Sequence, residues 1–137
     1  MAVRAKELRY AVDLGATGEL SEETGVALDV PAGWSPEHLL LAALVRCSLK
    51  SLRFHAERKN VDVRSASGSG RTLVTKRETD DRYALVETHV ELVVELDPEP
   101  EALAELLALA ERDCFVGSSL TAKPQYRWVV NGRTTGS

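Results

Sequence analysis

The most reactive side chains in this sequence belong to its two cysteines, Cys47 and Cys114. They are far apart in the chain, so the sequence lacks the CxxC spacing that is typical of zinc sites and thioredoxin-like sites. Two interpretations are open: inert thiols, because free cysteine is among the most frequently buried residue types, or a pair that cycles between dithiol and disulfide. The redox interpretation requires an accessible thiolate, and Arg46, Lys50 and Arg112 are the cations nearby in sequence.

The other polar side chains do not form a recognisable catalytic or metal-binding pattern. The histidines His38, His55 and His89 fall on separate predicted elements without the spacing of metal ligands, so we expect surface or packing roles for them. Ser118 and Ser119 lack the base and orienting group of a serine hydrolase and are expected to satisfy a helix end. These residues therefore predict neither a metal site nor a hydrolase.

Composition limits the class of protein. With 137 residues, 44% of them hydrophobic, the chain is long enough for one domain with an aliphatic core. The formal net charge of −4 argues against non-specific binding to nucleic acid, which requires a basic surface. No apolar run approaches the length of a membrane span and the N-terminus lacks a signal peptide's apolar region, so we predict a cytoplasmic protein without a membrane partner. Its cysteines are then expected to be thiols or a reactive pair rather than a permanent disulfide.

One long helix is predicted to position Cys47. The stretch from Ser35 to Lys59 begins with a good N-cap followed by a proline and Glu37, and neither glycine nor proline interrupts it afterwards. Residues 39–45 are all apolar, which predicts a helix buried on every side, in a core or against a second subunit. The later half of the stretch becomes polar and basic.

Strands are predicted on both sides of this helix. The clearest is Tyr83–Leu96, because apolar and polar residues alternate along it with a period of two. Gly68 and Gly70 indicate a bulge or bend in an earlier strand. A second, amphipathic helix is predicted over Glu101–Arg112, and Asn60 is a plausible end for the first. The other predicted strands are Arg4–Leu14, Leu20–Thr24, Val26–Val30, Val61–Ser67 continued by Arg71–Glu78, and Gln125–Val130.

This order of elements predicts an α+β fold, because strands and helices are segregated rather than strictly alternating. We expect a single domain over residues 1–130 and a polar C-terminal tail without regular structure at residues 131–137. A helix as long and apolar as the first one is difficult to cover with the rest of the chain. The sequence therefore also predicts a homodimer that buries part of this helix.

The segments around the two cysteines resemble the signatures of a known family. SPEHLLLAALVRC, from Ser35 to Cys47, resembles the segment (N/S)PEEL…AALaaC of the OsmC/Ohr (osmotically inducible and organic hydroperoxide resistance) family. DCFVGSSL, from Asp113 to Leu120, resembles that family's second signature, hCpvSnSL. The predicted order of elements agrees with the family over nearly the whole domain.

The resemblance implies an OsmC-like fold, with a long central helix wrapped by antiparallel sheets in an intertwined homodimer whose active sites lie at the subunit interface. Enzymes of the family reduce organic hydroperoxides, and less well hydrogen peroxide, with a cysteine pair. By this resemblance Cys47 is the peroxidatic cysteine and Cys114 the resolving one. Glu37 holds the reactive thiolate together with an arginine from the N-terminal region. The implied reductant is an external lipoyl-type dithiol, and no metal, flavin or haem is required.

The sequence departs from the peroxidase pattern at several positions. The family's peroxidases place their arginine in the turn between the first strands, where this chain has Glu19. Phe115 stands where the second signature usually has proline, and Gly117 where it usually has serine. These departures are typical of a divergent OsmC-like branch. The candidates to replace the missing arginine are Arg4, Arg9 and Arg46.

The position of Glu37 supports the predicted dimer. Glu37 lies ten positions before Cys47, which is about 15 Å along a helix, so the two side chains can serve one site only from different subunits. The alternative to a peroxidase is a non-catalytic dimer of the same fold that binds a small apolar ligand at its interface.

Overall fold

The N-terminal segment forms a small sheet of its own. The computed structural model describes residues 5–135, and the chain divides into two compact units, one up to Ser35 and one from Pro36 onward. The strands of the first unit are shorter than predicted, and Arg4 lies outside the described residues. They are β1 (Val12–Leu14), β2 (Leu20–Glu22) and β3 (Ala27–Leu28), which pair antiparallel in that order. The prediction of one domain over residues 1–130 stays a prediction.

The second unit begins with the predicted long helix, α1 (Pro36–Arg58). Its first residue is a proline, whose missing N–H has no helical partner at this position. Asn60 follows the helix with a φ of 56°, which lies in the left-handed region. The N–H of Val61 donates to the carbonyl of Ala56 at 2.9 Å, and the N–H of Asn60 donates to that of Glu57 at 3.1 Å. These paired bonds form a Schellman motif. They confirm the helix and its predicted end.

A four-stranded sheet follows, and one of its pairings is parallel. Strands β4 (Asp62–Lys76) and β5 (Tyr83–Asp97) form a long antiparallel hairpin. The chain then passes through α2 (Leu103–Arg112) and α3 (Phe115–Ser119) to β6 (Gln125–Val130), which lies parallel to β5. The α+β class is confirmed. The expectation of antiparallel sheets is wrong for the β5–β6 pair, because a helical crossover lets a strand return in the same direction as its neighbour.

Part of the predicted C-terminal tail is ordered. Strand β7 (Arg133–Thr135) pairs antiparallel with β6 and completes the sheet in the order β4-β5-β6-β7. Between the two strands, the Oδ1 atom of Asn131 accepts a hydrogen bond from the N–H of Leu96 at 2.9 Å. A tail without regular structure is therefore a wrong prediction for residues 133–135.

The sequence predicted a bulge or bend at Gly68 and Gly70. No bulge occurs at either residue, and both lie beneath helix α1. Both pair regularly with β5, whereas the register shifts between residues 63 and 65 and between residues 73 and 74. A Cβ atom on Gly68 would lie 2.9 Å from Cγ1 of Val45. Glycine is needed there because the helix packs directly on the backbone of β4.

The core of the second unit lies between α1, α2 and the inner face of the sheet. Alternate residues of β5 are buried, which confirms the period of two read from the sequence. No helix within residues 5–135 is long and apolar enough to cross a membrane. The largest fully buried side chains are Trp128, Leu44, Leu52, Leu92, Leu106, Val90, Val94, Val130, Cys114 and Ser48.

The two halves of α1 are buried differently from what their sequences suggest. In the apolar half, residues 39–45, only Leu44 is buried, and Ala42 and Ala43 are exposed. Burial of this half on every side is therefore not achieved within one chain. In the polar half, residues 48–56, a stripe faces the core: Ser48, Ser51, Leu52, His55 and Ala56 are buried.

Candidate functional site

The two cysteines lie on elements that are adjacent in the fold. Cys47 is in the middle of α1, and Cys114 is in the short connection between α2 and α3. Cys114 is the N-cap of α3, where its Sγ atom accepts a hydrogen bond from the N–H of Gly117 at 3.4 Å. Because α3 packs on α1, the Cys47 and Cys114 side chains come within hydrogen-bonding contact. Both are free thiols.

The half-buried Cys47 thiol experiences opposing influences on its ionisation. Burial raises the pKa of Cys47, and the adjacent Cys114 thiol also raises it, whereas the backbone N–H groups of Val116 and Phe115 lower it. The balance leaves the pKa above its ordinary value. Within a single chain, Cys47 is therefore a thiol rather than a thiolate at neutral pH.

Cys114 is fully buried beside two hydroxyl groups. Its Sγ atom lies 3.5 Å from Oγ of Ser48, which donates to the carbonyl of Leu44 at 2.8 Å and lies 3.4 Å from Oη of Tyr126. The Tyr126 hydroxyl is also in hydrogen-bonding contact with Cys114, and burial raises the pKa of Tyr126, so this hydroxyl keeps its proton. The Tyr126 ring stacks on Trp128 with 6.3 Å between ring centroids.

A histidine–aspartate contact holds the residue that precedes Cys114. Nε2 of His55 lies 2.7 Å from Oδ2 of Asp113, and the Arg112 guanidinium donates to both carboxylate oxygens at 2.8 Å. Hydrogen bonding from Arg112, followed by the contact with His55, lowers the pKa of Asp113 to about 2 despite an opposing effect of burial. The end of α2 is thereby attached to α1 immediately before Cys114.

Glu37 does not join the cysteines within one chain. It is exposed in the first turn of α1, about 15 Å of helix away from Cys47. The turn between β1 and β2 forms as predicted, with the N–H of Gly15 donating to the carbonyl of Glu19 at 2.8 Å. The Glu19 carboxylate accepts a hydrogen bond from the Thr17 hydroxyl. The structure thus brings together Cys47 and Cys114 but not Glu37.

Sequence reasoning missed the neighbours of the cysteines. Ser48 directly follows Cys47, and this adjacency is the one signal that could have pointed to it. Tyr126 comes from β6 and carried no signal, since its contact with Cys114 depends on the parallel pairing. His55 is a packing residue, as expected. Within residues 5–135, no group of three or more His, Cys, Asp and Glu side chains is arranged to hold a metal ion.

The fold and the site define an α+β protein with a pair of adjacent free thiols between a long helix and a short one. The chain belongs to the OsmC-like protein family, whose model matches residues 29–128. The matched range contains Glu37, Cys47 and Cys114. No protein with a curated description matches the chain.

Solved structures share this fold at low sequence identity. An OsmC-like protein of unknown function from Vibrio cholerae has a TM-score of 0.72 and 15% identity, covering 91% of this chain and all (100%) of its own. An OsmC-like protein from Mycoplasma pneumoniae has a TM-score of 0.68 and 17% identity, and the match covers 93% of this chain and 99% of that protein. The organic hydroperoxide resistance protein OhrB of Bacillus subtilis has a TM-score of 0.54 and 21% identity, and the match covers 90% of this chain and 96% of that protein. These likenesses establish the OsmC-like fold.

Proposed function

We propose that this protein is a thiol-dependent peroxidase that reduces organic hydroperoxides, and less well hydrogen peroxide, in the oxidative stress response. The observation that carries the proposal is the contact between the Cys47 and Cys114 side chains. Two free thiols in hydrogen-bonding contact are candidates for a disulfide, which requires Cα atoms about 4.4–6.8 Å apart. The similarity to a hydroperoxide resistance protein of Bacillus subtilis supports the same choice of substrate.

The oxidative step uses the more accessible sulfur. The Cys47 thiolate attacks the terminal oxygen of the hydroperoxide, the O–O bond breaks, and the alkoxide takes up a proton and leaves as an alcohol. The product is a sulfenic acid on Cys47. The Cys114 sulfur then attacks the Cys47 sulfur, water leaves, and a disulfide forms. An external lipoyl-type dithiol completes the cycle by reducing this disulfide.

The single chain lacks part of the proposed site, and a second subunit supplies it. The pKa of Cys47 is raised within one chain, so a partner for the thiolate must come from elsewhere. In a homodimer, Glu37 of the second subunit, together with an arginine, occupies this role. The incomplete burial of the apolar segment 39–45 of α1 supports such a dimer, because an exposed apolar surface on a helix is typical of an interface.

The proposed cycle requires a reducing compartment. Disulfides are rare in the cytosol, where thiols are kept reduced, and the cycle requires that Cys47 and Cys114 return to thiols after each turnover. We therefore assign the protein to the cytoplasm, with dithiols of that compartment as its reductants.

The test is consumption of cumene or tert-butyl hydroperoxide with dihydrolipoamide as reductant. Wild type, Cys47→Ser and Cys114→Ser are compared as folded, fully reduced proteins. We expect turnover in wild type, none in Cys47→Ser, and a single oxidation without disulfide formation in Cys114→Ser. The last variant is the matched control, because it removes a thiol of the same pair without removing the nucleophile. Absence of turnover in reduced wild-type dimer contradicts the proposal.

A second candidate function is a non-catalytic dimer that binds a small apolar ligand at its interface. The raised pKa of Cys47 and the incomplete burial of residues 39–45 favour it, since neither requires a reaction. This candidate predicts that Cys47→Ser retains ligand binding and that wild type consumes no hydroperoxide.

A further inference from the structure

The two sulfur atoms of the thiol pair differ in their access to other molecules. Cys114 has 0% of its surface exposed in the single chain, and association with another copy can only bury it further. Cys47 is half-buried, so it is the more accessible residue of the pair. A thiol that arrives from outside therefore meets Cys47 first.

Three groups that carry a proton for hydrogen bonding surround the inaccessible sulfur. The Ser48 proton points to the Leu44 carbonyl at 2.8 Å in the reduced protein and reaches the sulfur by rotation of the hydroxyl. The N–H of Gly117 donates to Sγ of Cys114 at 3.4 Å, Oγ of Ser48 lies 3.5 Å from it, and the Tyr126 hydroxyl is in hydrogen-bonding contact with it. Oγ of Ser48 and Oη of Tyr126 are 3.4 Å apart, so the two hydroxyls also contact each other. Such donors stabilise a thiolate more than a thiol, because hydrogen bonds to a charged acceptor are stronger.

We infer that the disulfide is reduced in a fixed direction, with the external thiolate attacking Cys47 and with Ser48, Tyr126 and the N–H of Gly117 receiving Cys114 as the leaving thiolate. This inference rests on the proposed peroxidase cycle. It adds that Cys47 is the attacked sulfur and names the residues that assist the departure of Cys114. Ser48 and Tyr126 touch a reacting atom, which makes them catalytic residues of the reductive step.

The step is balanced as follows. The first thiol of the dithiol loses its proton to solvent, its sulfur bonds to the Cys47 sulfur, and the bond between Cys47 and Cys114 breaks. Cys114 leaves with the electron pair and then takes a proton from solvent. The second thiol of the reductant, after losing its proton, attacks the first and releases Cys47, which is protonated in turn. The dithiol is oxidised to its disulfide and the protein pair is reduced.

The first experiment identifies the attacked sulfur in the wild-type protein. The disulfide is made with diamide, so no peroxidase activity is needed. A monothiol is added, the reaction is stopped with acid, and the denatured protein is alkylated with N-ethylmaleimide. Peptide mapping then locates the adducts, and we expect the monothiol on Cys47 and the maleimide on Cys114. The reverse assignment overturns this inference but leaves the peroxidase proposal standing, whereas failure to form the disulfide contradicts both.

The second experiment measures the contribution of the hydroxyl groups. We expect Tyr126→Phe and Ser48→Ala each to slow reduction of the diamide-formed disulfide by dithiothreitol about three- to tenfold, because a leaving thiolate that has lost a hydrogen-bond donor is less stabilised. Tyr83→Phe and Ser69→Ala are the matched controls, since these exposed residues of the β4–β5 hairpin are remote from the sulfurs in sequence. We expect no change in the control variants.

A third measurement separates this role from a merely structural one. The rate at which the disulfide of Tyr126→Phe is reduced is compared with the thermal unfolding midpoint of the same variant. We expect slower reduction without a matching loss of stability, whereas a merely structural role would lower the midpoint. An unchanged rate of reduction in both hydroxyl variants overturns the assignment of Ser48 and Tyr126.

Discussion

The two halves of helix α1 show opposite relations between sequence and burial. Residues 39–45 are uniformly apolar, yet only Leu44 is buried there. Residues 48–56 contain charged and hydroxyl side chains, yet one stripe of them lies in the core. The difference arises because α2 and the sheet cover only part of the helix. An apolar run shows that a surface must be covered, but not which chain covers it. Cys47 lies at the boundary between the two halves.

The most direct test of the difference between the two halves of α1 is to place a charge in the apolar half. We expect Ala43→Arg to raise the dimer dissociation constant about a thousandfold, because an unpaired charge buried at an interface costs about 4 kcal/mol. Sedimentation velocity over a range of concentrations measures the effect. Arg53→Glu, an exposed position in the polar half, is the control and is expected to leave the dimer intact. An unchanged dimer in Ala43→Arg places the interface elsewhere.

Truncating one leucine in each half of α1 tests whether the two halves are buried by the same chain or by association. We expect Leu52→Ala to lower the free energy of unfolding by about 3 kcal/mol at every protein concentration, because Leu52 is fully buried within its own chain. Leu40→Ala, in the apolar half, is expected to destabilise the protein by an amount that depends on concentration, because its cover comes from association. Urea unfolding at two protein concentrations measures both. A concentration-independent loss in Leu40→Ala contradicts the expectation.

A third substitution tests the packing at the boundary between the halves. A Cβ atom on Gly117 would lie 2.8 Å from Oη of Tyr126, so we expect Gly117→Ala to destabilise the protein by about 1–2 kcal/mol through overpacking. Removing the hydroxyl in Gly117→Ala/Tyr126→Phe is expected to restore most of this stability. Thermal unfolding of the single and double variants measures the coupling, and additive losses rule out the contact as the cause.

The smallest expected effect is a pH dependence in the polar half. The pKa of Asp113 in the folded protein, about 2, lies below its ordinary value of 3.8. The contact with Arg112 and His55 therefore stabilises the fold above pH 3.8, and this contribution is lost as the pH falls towards 2. We expect Asp113→Asn to lose less stability than wild type across that interval. Urea midpoints measured from pH 5 to about 2 test this, and parallel curves contradict it.

The sequence predicted those parts of the fold that have strong local signals. Proline and Asn60 delimit α1, and alternation defines β5. The parallel β5–β6 pairing was missed because short sequence patterns do not specify strand direction. Gly68 was misread because a close helix–strand approach and a bulge both favour glycine. The cysteines were found from their family signatures, whereas Tyr126 depends on tertiary packing that no spacing in the chain encodes.

The stack of Tyr126 on Trp128 gives the protein an internal optical reporter. The Tyr126 hydroxyl contacts Cys114 while its ring lies 6.3 Å from the indole, so oxidation of the thiol pair is expected to change the fluorescence of Trp128. The only other tryptophan, Trp34, can be replaced by phenylalanine to isolate this emission. Each half of the redox cycle can then be followed in real time without an added dye.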